Sequence, residues 1–189
     1  MSPVMRPLPL LLCLLAAGAL SSCGGGGDFS GDASLPDGYK TFETTGISFA
    51  YPGDWQVAER TDADGAPAVE ITPSEKAQTP YGLIQLTVSP DAGDRFESLV
   101  DQVRIVVRDV NGGKIESHEE VDVPGSEKAL RSKTVTPPGA GTDPVEVRSE
   151  GLDVLRDNGD VIGFSVAVPQ RDGQDLDPAP IVESFRLAG

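Results

Sequence analysis

The chain has 189 residues, 30 of them acidic and 15 basic, for a formal charge of -15 at pH 7. That balance disfavours nucleic acid and repels the folded part from an anionic bilayer. Once a leader and a tether are set aside, about 150 residues remain, enough for one domain with its own core and too few for two.

Arg6 supplies a short basic start and Leu8 to Leu20 an apolar run of Leu and Ala, followed by the small residues Ser21 and Ser22. This is the three-part layout of a secretory signal, too short for a membrane span. Leu20-Ser-Ser-Cys23 resembles a bacterial lipobox. In that reading the Cys23 sulfur takes a diacylglyceryl group, the bond between Ser22 and Cys23 is cut, and Cys23 becomes the mature N-terminus. The alternatives are an ordinary signal with Cys23 a bystander, or a hydrophobic helix that stays in place. Two acyl chains would contribute on the order of 20 kcal/mol to membrane retention. The only other cysteine, Cys13, leaves with the signal, so the mature chain has no pair to form a disulfide.

Gly24 to Gly38 holds one Phe and one Leu among small and acidic residues, too little apolar surface to fold alone. As a flexible leash it spans roughly 20 Å, or about 50 Å when stretched. The organisation expected is therefore a lipoprotein signal over 1–22, a lipidated cysteine and Gly-rich tether over 23–38, and one folded domain over 39–189.

Within that domain, Tyr39 to Phe42 and Ile47 to Tyr51 read as strands around a turn at Thr45-Gly46. Pro52-Gly53-Asp54 turns the chain into a third strand from Trp55 to about Arg60. Ala66 to Pro73 and Leu83 to Val88 continue the sheet as antiparallel hairpins. One long helix follows, with Asp94 as its N-cap, Glu97 as the capping-box partner, and a stripe of Phe96, Leu99, Val100, Val103, Val106, Val107 and Val110. So many valines lower helix propensity, so the stripe is expected to be held by tertiary packing; Ile105 lies off it. Asn111-Gly112-Gly113 ends the helix. Strands are then expected over Lys114 to Val123, Ser126 to Thr136, Val145 to Leu155 and Val161 to Val168, the last near the sheet centre. Asp177-Pro178 opens a short terminal helix that buries Ile181, Val182 and Phe185, and Leu187 closes the core. The fold class that follows is α+β, an antiparallel sheet of six or more strands with helices packed on it.

No catalytic constellation emerges. His118 is the only histidine, and on an alternating strand it reads as a solvated side chain rather than a base. No Gly-x-Ser-x-Gly elbow accompanies it. Asp62 and Asp64, or Asp172, Asp175 and Asp177, offer carboxylates to calcium, but neither stretch forms the twelve-residue loop with a closing Glu. No cofactor or metal is expected, and no ligand-binding residue can be named.

Gly46-Ile-Ser-Phe-Ala-Tyr-Pro-Gly-Asp-Trp55 and Ile181-Val-Glu-Ser-Phe-Arg-Leu187 together resemble the PsbP-like superfamily. The likeness is greatest to its actinobacterial branch of LpqN/LpqT-like lipoproteins. That resemblance implies an α/β/α sandwich used mainly as a non-catalytic scaffold, which in the lipoprotein branch is associated with cell-wall or envelope-lipid assembly. It carries no functional residue onto this chain, and Pro52 and Trp55 are more simply a corner and a plug.

The expectation is thus a lipid-anchored protein on the extracytoplasmic side of the cell membrane. It would be a non-enzymatic binding or accessory protein with an envelope partner. The alternative is a carrier that holds a small apolar ligand or lipid between the sheet and the Phe96 to Val110 helix.

Overall fold

The computed structural model describes residues 37–61, 67–75, 82–139, 145–171 and 176–188. Ser22, Cys23, most of the tether, Asp62, Asp64, Asp172 and Asp175 lie outside the described residues.

Period-two patterning produces a seven-stranded antiparallel sheet built from β3 (Trp55–Thr61), β4 (Pro67–Pro73), β5 (Leu83–Ser89), β6 (Lys114–Glu120), β7 (Ser126–Thr136), β8 (Val147–Arg156) and β9 (Val161–Pro169). Their order is β3-β4-β5-β9-β8-β7-β6, so β9 is central, as its apolar face requires. The first hairpin does not continue this sheet. β1 (Tyr39–Thr44) and β2 (Ile47–Pro52) form a separate three-stranded sheet with β10 (Arg186–Leu187). Pro52 and Gly53 end β2 at a corner, and the chain then enters the large sheet at its edge strand β3.

That small sheet and α2 (Ala179–Glu183) cover one face of the large sheet. Ile84 and Leu86 of β5, Leu152 and Val154 of β8, and Ile162, Phe164, Val166 and Val168 of β9 point into this main core. Phe42, Phe49, Phe164 and Phe185 run through it, with successive ring centroids 5.2, 4.6 and 5.2 Å apart. Asp177 caps α2 through Oδ1, which accepts the Ala179 N–H at 3.0 Å. Ser184 locks the helix end by accepting the Ala50 N–H at 2.8 Å and donating to the Ile181 carbonyl at 2.6 Å.

On the other face lies α1 (Phe96–Ile105), over a smaller cluster of Ala92, Phe96, Val100, Leu130 and Val161. Here two expectations fail. Residues Gly93–Arg95 form a 3-10 turn, and no side-chain hydrogen bond caps the helix, so Asp94 and Glu97 make no capping box. Glu97 instead accepts from Lys128 Nζ of β7 at 2.5 Å. The apolar stripe is buried only in its first half. Val103, Val106 and Val110 are 46, 47 and 70 % exposed, and the off-stripe Ile105 is 49 % exposed. The last turn, Val106–Val110, is a π turn closed by the Asn111 N–H on the Val106 carbonyl at 3.0 Å. Such a turn widens the helix and rotates later side chains away from a straight 3.6-residue stripe.

Candidate functional site

Along β5, β9, β8 and β7 the face beneath α1 carries the cross-strand row Thr87, Gly163, Asp153, Leu130. Beside it runs the row Gln85, Ser165, Gly151, Ser132, His118, which reaches β6. Glycine or a small polar residue at so many positions leaves this face low where the helix passes over it.

Two spaces result, and Asp153 borders both. The larger is an open groove of about 490 Å³, with Thr87, Ser89, Val161 and Gly163 on the sheet side and Leu99, Gln102, Val103 and Val106 on the helix side. Among the described residues Asp153 is the sole charged one lining it. The smaller is a gap of about 10 Å³ under the helix between Val100, Val103, Val107 and Ile115, with Arg104, His118, Ser132 and Asp153 at its polar edge.

Burial alone raises the Asp153 carboxyl from an ordinary 3.8 to about 6. No charge or hydrogen bond among the described residues offsets that cost. His118 is displaced the other way: burial lowers its pKa and the Arg104 guanidinium adds to the effect, against smaller opposing contributions from Glu97 and Asp101. Its Nδ1 is buried without a hydrogen-bond partner among the described residues. The strand histidine expected in solvent is therefore half-buried beneath α1.

Ser132, His118 and Asp153 border one gap, which invites comparison with a hydrolase triad. The arrangement lacks its chemistry, because an unbonded Nδ1 leaves the imidazole unoriented and the gap has room for one water at most, not for an acyl group. No group of three or more His, Cys, Asp or Glu suited to a metal occurs among the described residues.

A second recess, of about 590 Å³, opens on the opposite face between β7, β8 and the approach to α2, lined by Lys133, Arg148, Glu150, Gln170 and Asp177. Its floor is an ion-pair cluster. Glu150, 4 % exposed, is bonded to Arg131, which also reaches Glu183 Oε1 at 3.1 Å, while Lys133 Nζ lies 3.7 Å from Glu150 Oε2. These charges satisfy one another, so the cluster reads as structural.

Asp153 is not among the sequence candidates, although its surroundings carry a local signal. It is a lone carboxylate inside Gly151-Leu-Asp-Val-Leu155, on a strand whose neighbours are aliphatic. Of the residues that were singled out, Ile105 and Val103 line the groove, Asp177 caps a helix, and Cys23 lies outside the described residues.

Fold and groove define an α+β protein: an antiparallel sheet filled on one face, with an apolar recess between helix and sheet on the other. No family model matches the chain, and no curated protein matches it. Among solved structures it is similar to a protein from Bacteroides thetaiotaomicron, at 15% identity over 80% of this chain with a TM-score of 0.47. The chain spans about half of that protein, 49% of its length. It is also similar to the Ran-binding protein Mog1p of Saccharomyces cerevisiae, at 11% identity over 79% of this chain and 95% of the other, with a TM-score of 0.47. A protein of unknown function from Pseudomonas aeruginosa matches at 11% identity over 74% of this chain and 96% of the other, with a TM-score of 0.42. At these identities and TM-scores the likeness says nothing of activity.

Proposed function

We propose that this protein is a lipoprotein of the bacterial envelope, anchored through Cys23 on the extracytoplasmic side of the membrane, that works by binding rather than catalysis. Its binding site is the groove between α1 and the large sheet, and its ligand is a small apolar molecule or lipid chain. The PsbP-like, LpqN/LpqT-like resemblance belongs to the same proposal.

One observation carries the binding site. A helix that should bury its valines leaves Val103, Ile105 and Val106 about half exposed beside an open space of about 490 Å³. That volume falls within the roughly 300–1,000 Å³ of small-molecule sites. Apolar surface held open on a folded domain is costly to keep in water and marks a place of contact. A second reading, in which an envelope protein lays an apolar segment on the same helix, draws on Val110: it is 70 % exposed and extends the apolar surface beyond the groove.

The test is a fluorescence titration of the mature chain, carrying Cys23→Ser, with the neutral apolar dye N-phenyl-1-naphthylamine. Saturable binding is expected, weakened about tenfold or more in Val103→Ser/Val106→Ser. Absence of saturable binding, or equal binding by the double variant, would remove the groove from the proposal. Intact mass of protein taken from cell membranes tests the anchor separately.

A further inference from the structure

The apolar lining of the groove does not account for Asp153. Its cross-strand neighbours are Gly163 on β9 and Leu130 on β7. Gly163 contributes no side chain between Asp153 and Thr87, the next residue along the row. The carboxylate is therefore reached from the groove, whose walls are largely aliphatic and hold no other charged side chain among the described residues.

No ion pair joins Asp153 to a charge on another element among the described residues. Arg104 of α1 borders the small gap behind Asp153, but its Nη1 donates to Asp101 Oδ1 at 3.4 Å. His118 of β6 is held toward its neutral form by burial and by Arg104. Glu97 and Asp101, the acids that act on His118, lie on α1 and add negative charge to the region. Well above pH 6, then, Asp153 presents an ionised and poorly hydrated oxygen pair, with no cation paired to it among the described residues, beside an apolar recess.

We propose that the groove takes a cationic amphiphile, with its apolar body against Leu99, Val103 and Val106 and its ammonium head on Asp153. A fatty acid or other anionic amphiphile would bring a like charge to an uncompensated carboxylate. A neutral alcohol would donate a single bond and leave the charge unanswered. An ammonium group supplies both the charge and the donors that the site lacks, and such charge-assisted bonds gain strength where water is excluded. The strongly acidic chain adds a field that concentrates cations near its surface.

This inference rests on the groove being a ligand site, so the experiment separates the two. The mature chain with Cys23→Ser is loaded with N-phenyl-1-naphthylamine at pH 7.5, and the dye is displaced by decylammonium, decanol and decanoate, each below its micelle-forming concentration. Decylammonium is expected to displace the dye about tenfold more tightly than decanol, with decanoate weakest. Asp153→Asn keeps the side-chain size, and is expected to remove most of the decylammonium advantage over decanol. Equal displacement by all three compounds in the unsubstituted protein would overturn the inference without any variant, and leave the groove reading intact. Displacement by an amphipathic Leu/Lys peptide but by none of the decyl compounds would overturn it in favour of a protein segment. Failure of the dye to bind at all would remove the groove reading and this inference together.

Discussion

His118 and Asp153 border the same gap beneath α1, one on β6 and the other on β8, and burial moves their pKa values in opposite directions. Each is pushed toward its neutral form, because the apolar helix side chains above them solvate neither charge. The two groups therefore act oppositely on stability as pH falls.

For Asp153 the folded-state pKa is raised, from 3.8 to about 6. Its favourable contribution is complete below pH 3.8 and is lost as pH rises through about 6. At neutral pH the ionised group costs up to about 3 kcal/mol relative to a neutral one. Asp153→Asn is accordingly expected to raise the urea midpoint at pH 7 and to lose that advantage by pH 4. The lowered pKa of His118 works the other way, with stability present above its unfolded value of 6.5 and lost as pH falls through the folded one. In Asp153→Asn that loss stands alone, so stability should decline from pH 7 to 5 more steeply than in the unsubstituted protein. Parallel curves for the two proteins would contradict this account.

Arg131 and Glu150 are the buried ion pair of the main-core face. Arg131→Met would leave Glu150, only 4 % exposed, with Lys133 Nζ at 3.7 Å as its remaining cation. Removing one member of a buried pair typically costs ~3–5 kcal/mol. Chemical denaturation should find a loss of that order, and Arg131→Met/Glu150→Leu should recover most of it.

Gly82 enters β5 directly against the only tryptophan. A Cβ there would lie 2.2 Å from Trp55 Cη2 and 2.9 Å from Cζ2, and the ring, 4 % exposed, has little room to retreat. Gly82→Ala is expected to cost ~1–3 kcal/mol by overpacking. The shift should be visible directly, since emission from the single indole reports its own displacement toward water. An unchanged spectrum and unchanged stability would mean that the contact relaxes freely.

Cys23→Ser removes the sulfur on which the proposed anchor depends. Expressed in the native envelope, the variant should lack the diacylglyceryl mass and retain its leader, since cleavage follows acylation in a lipobox. A variant processed and retained like the unsubstituted protein would show that another residue holds it.

Much of the strand layout was legible because alternation is a local property. Ile162, Phe164, Val166 and Val168 fall on one face whatever surrounds them, and they line the buried side of the central strand. Asp177 was legible as a cap for the same reason, since an acceptor two residues before a free N–H needs no distant partner. The helix misled. Its stripe of apolar residues implied a buried face, but periodicity records which residues share a side and not whether anything covers that side. The first hairpin misled in a similar way, because a hairpin has the same local pattern in either sheet.

By itself, the sequence determined most of the strands, the presence of the helix and which residues share a side of each strand, while the signal, cysteine and tether remain a proposal drawn from its first 38 residues. Only the tertiary structure decided that β1 and β2 join the two-residue β10 instead of the large sheet. It alone decided that Gly163 lies between Thr87 and Asp153, and that the end of α1 stands over an open groove with Val103 and Val106 half exposed. Each of those outcomes depends on residues far apart in the chain meeting across strands, and a charge becomes poorly solvated only when such neighbours displace its water.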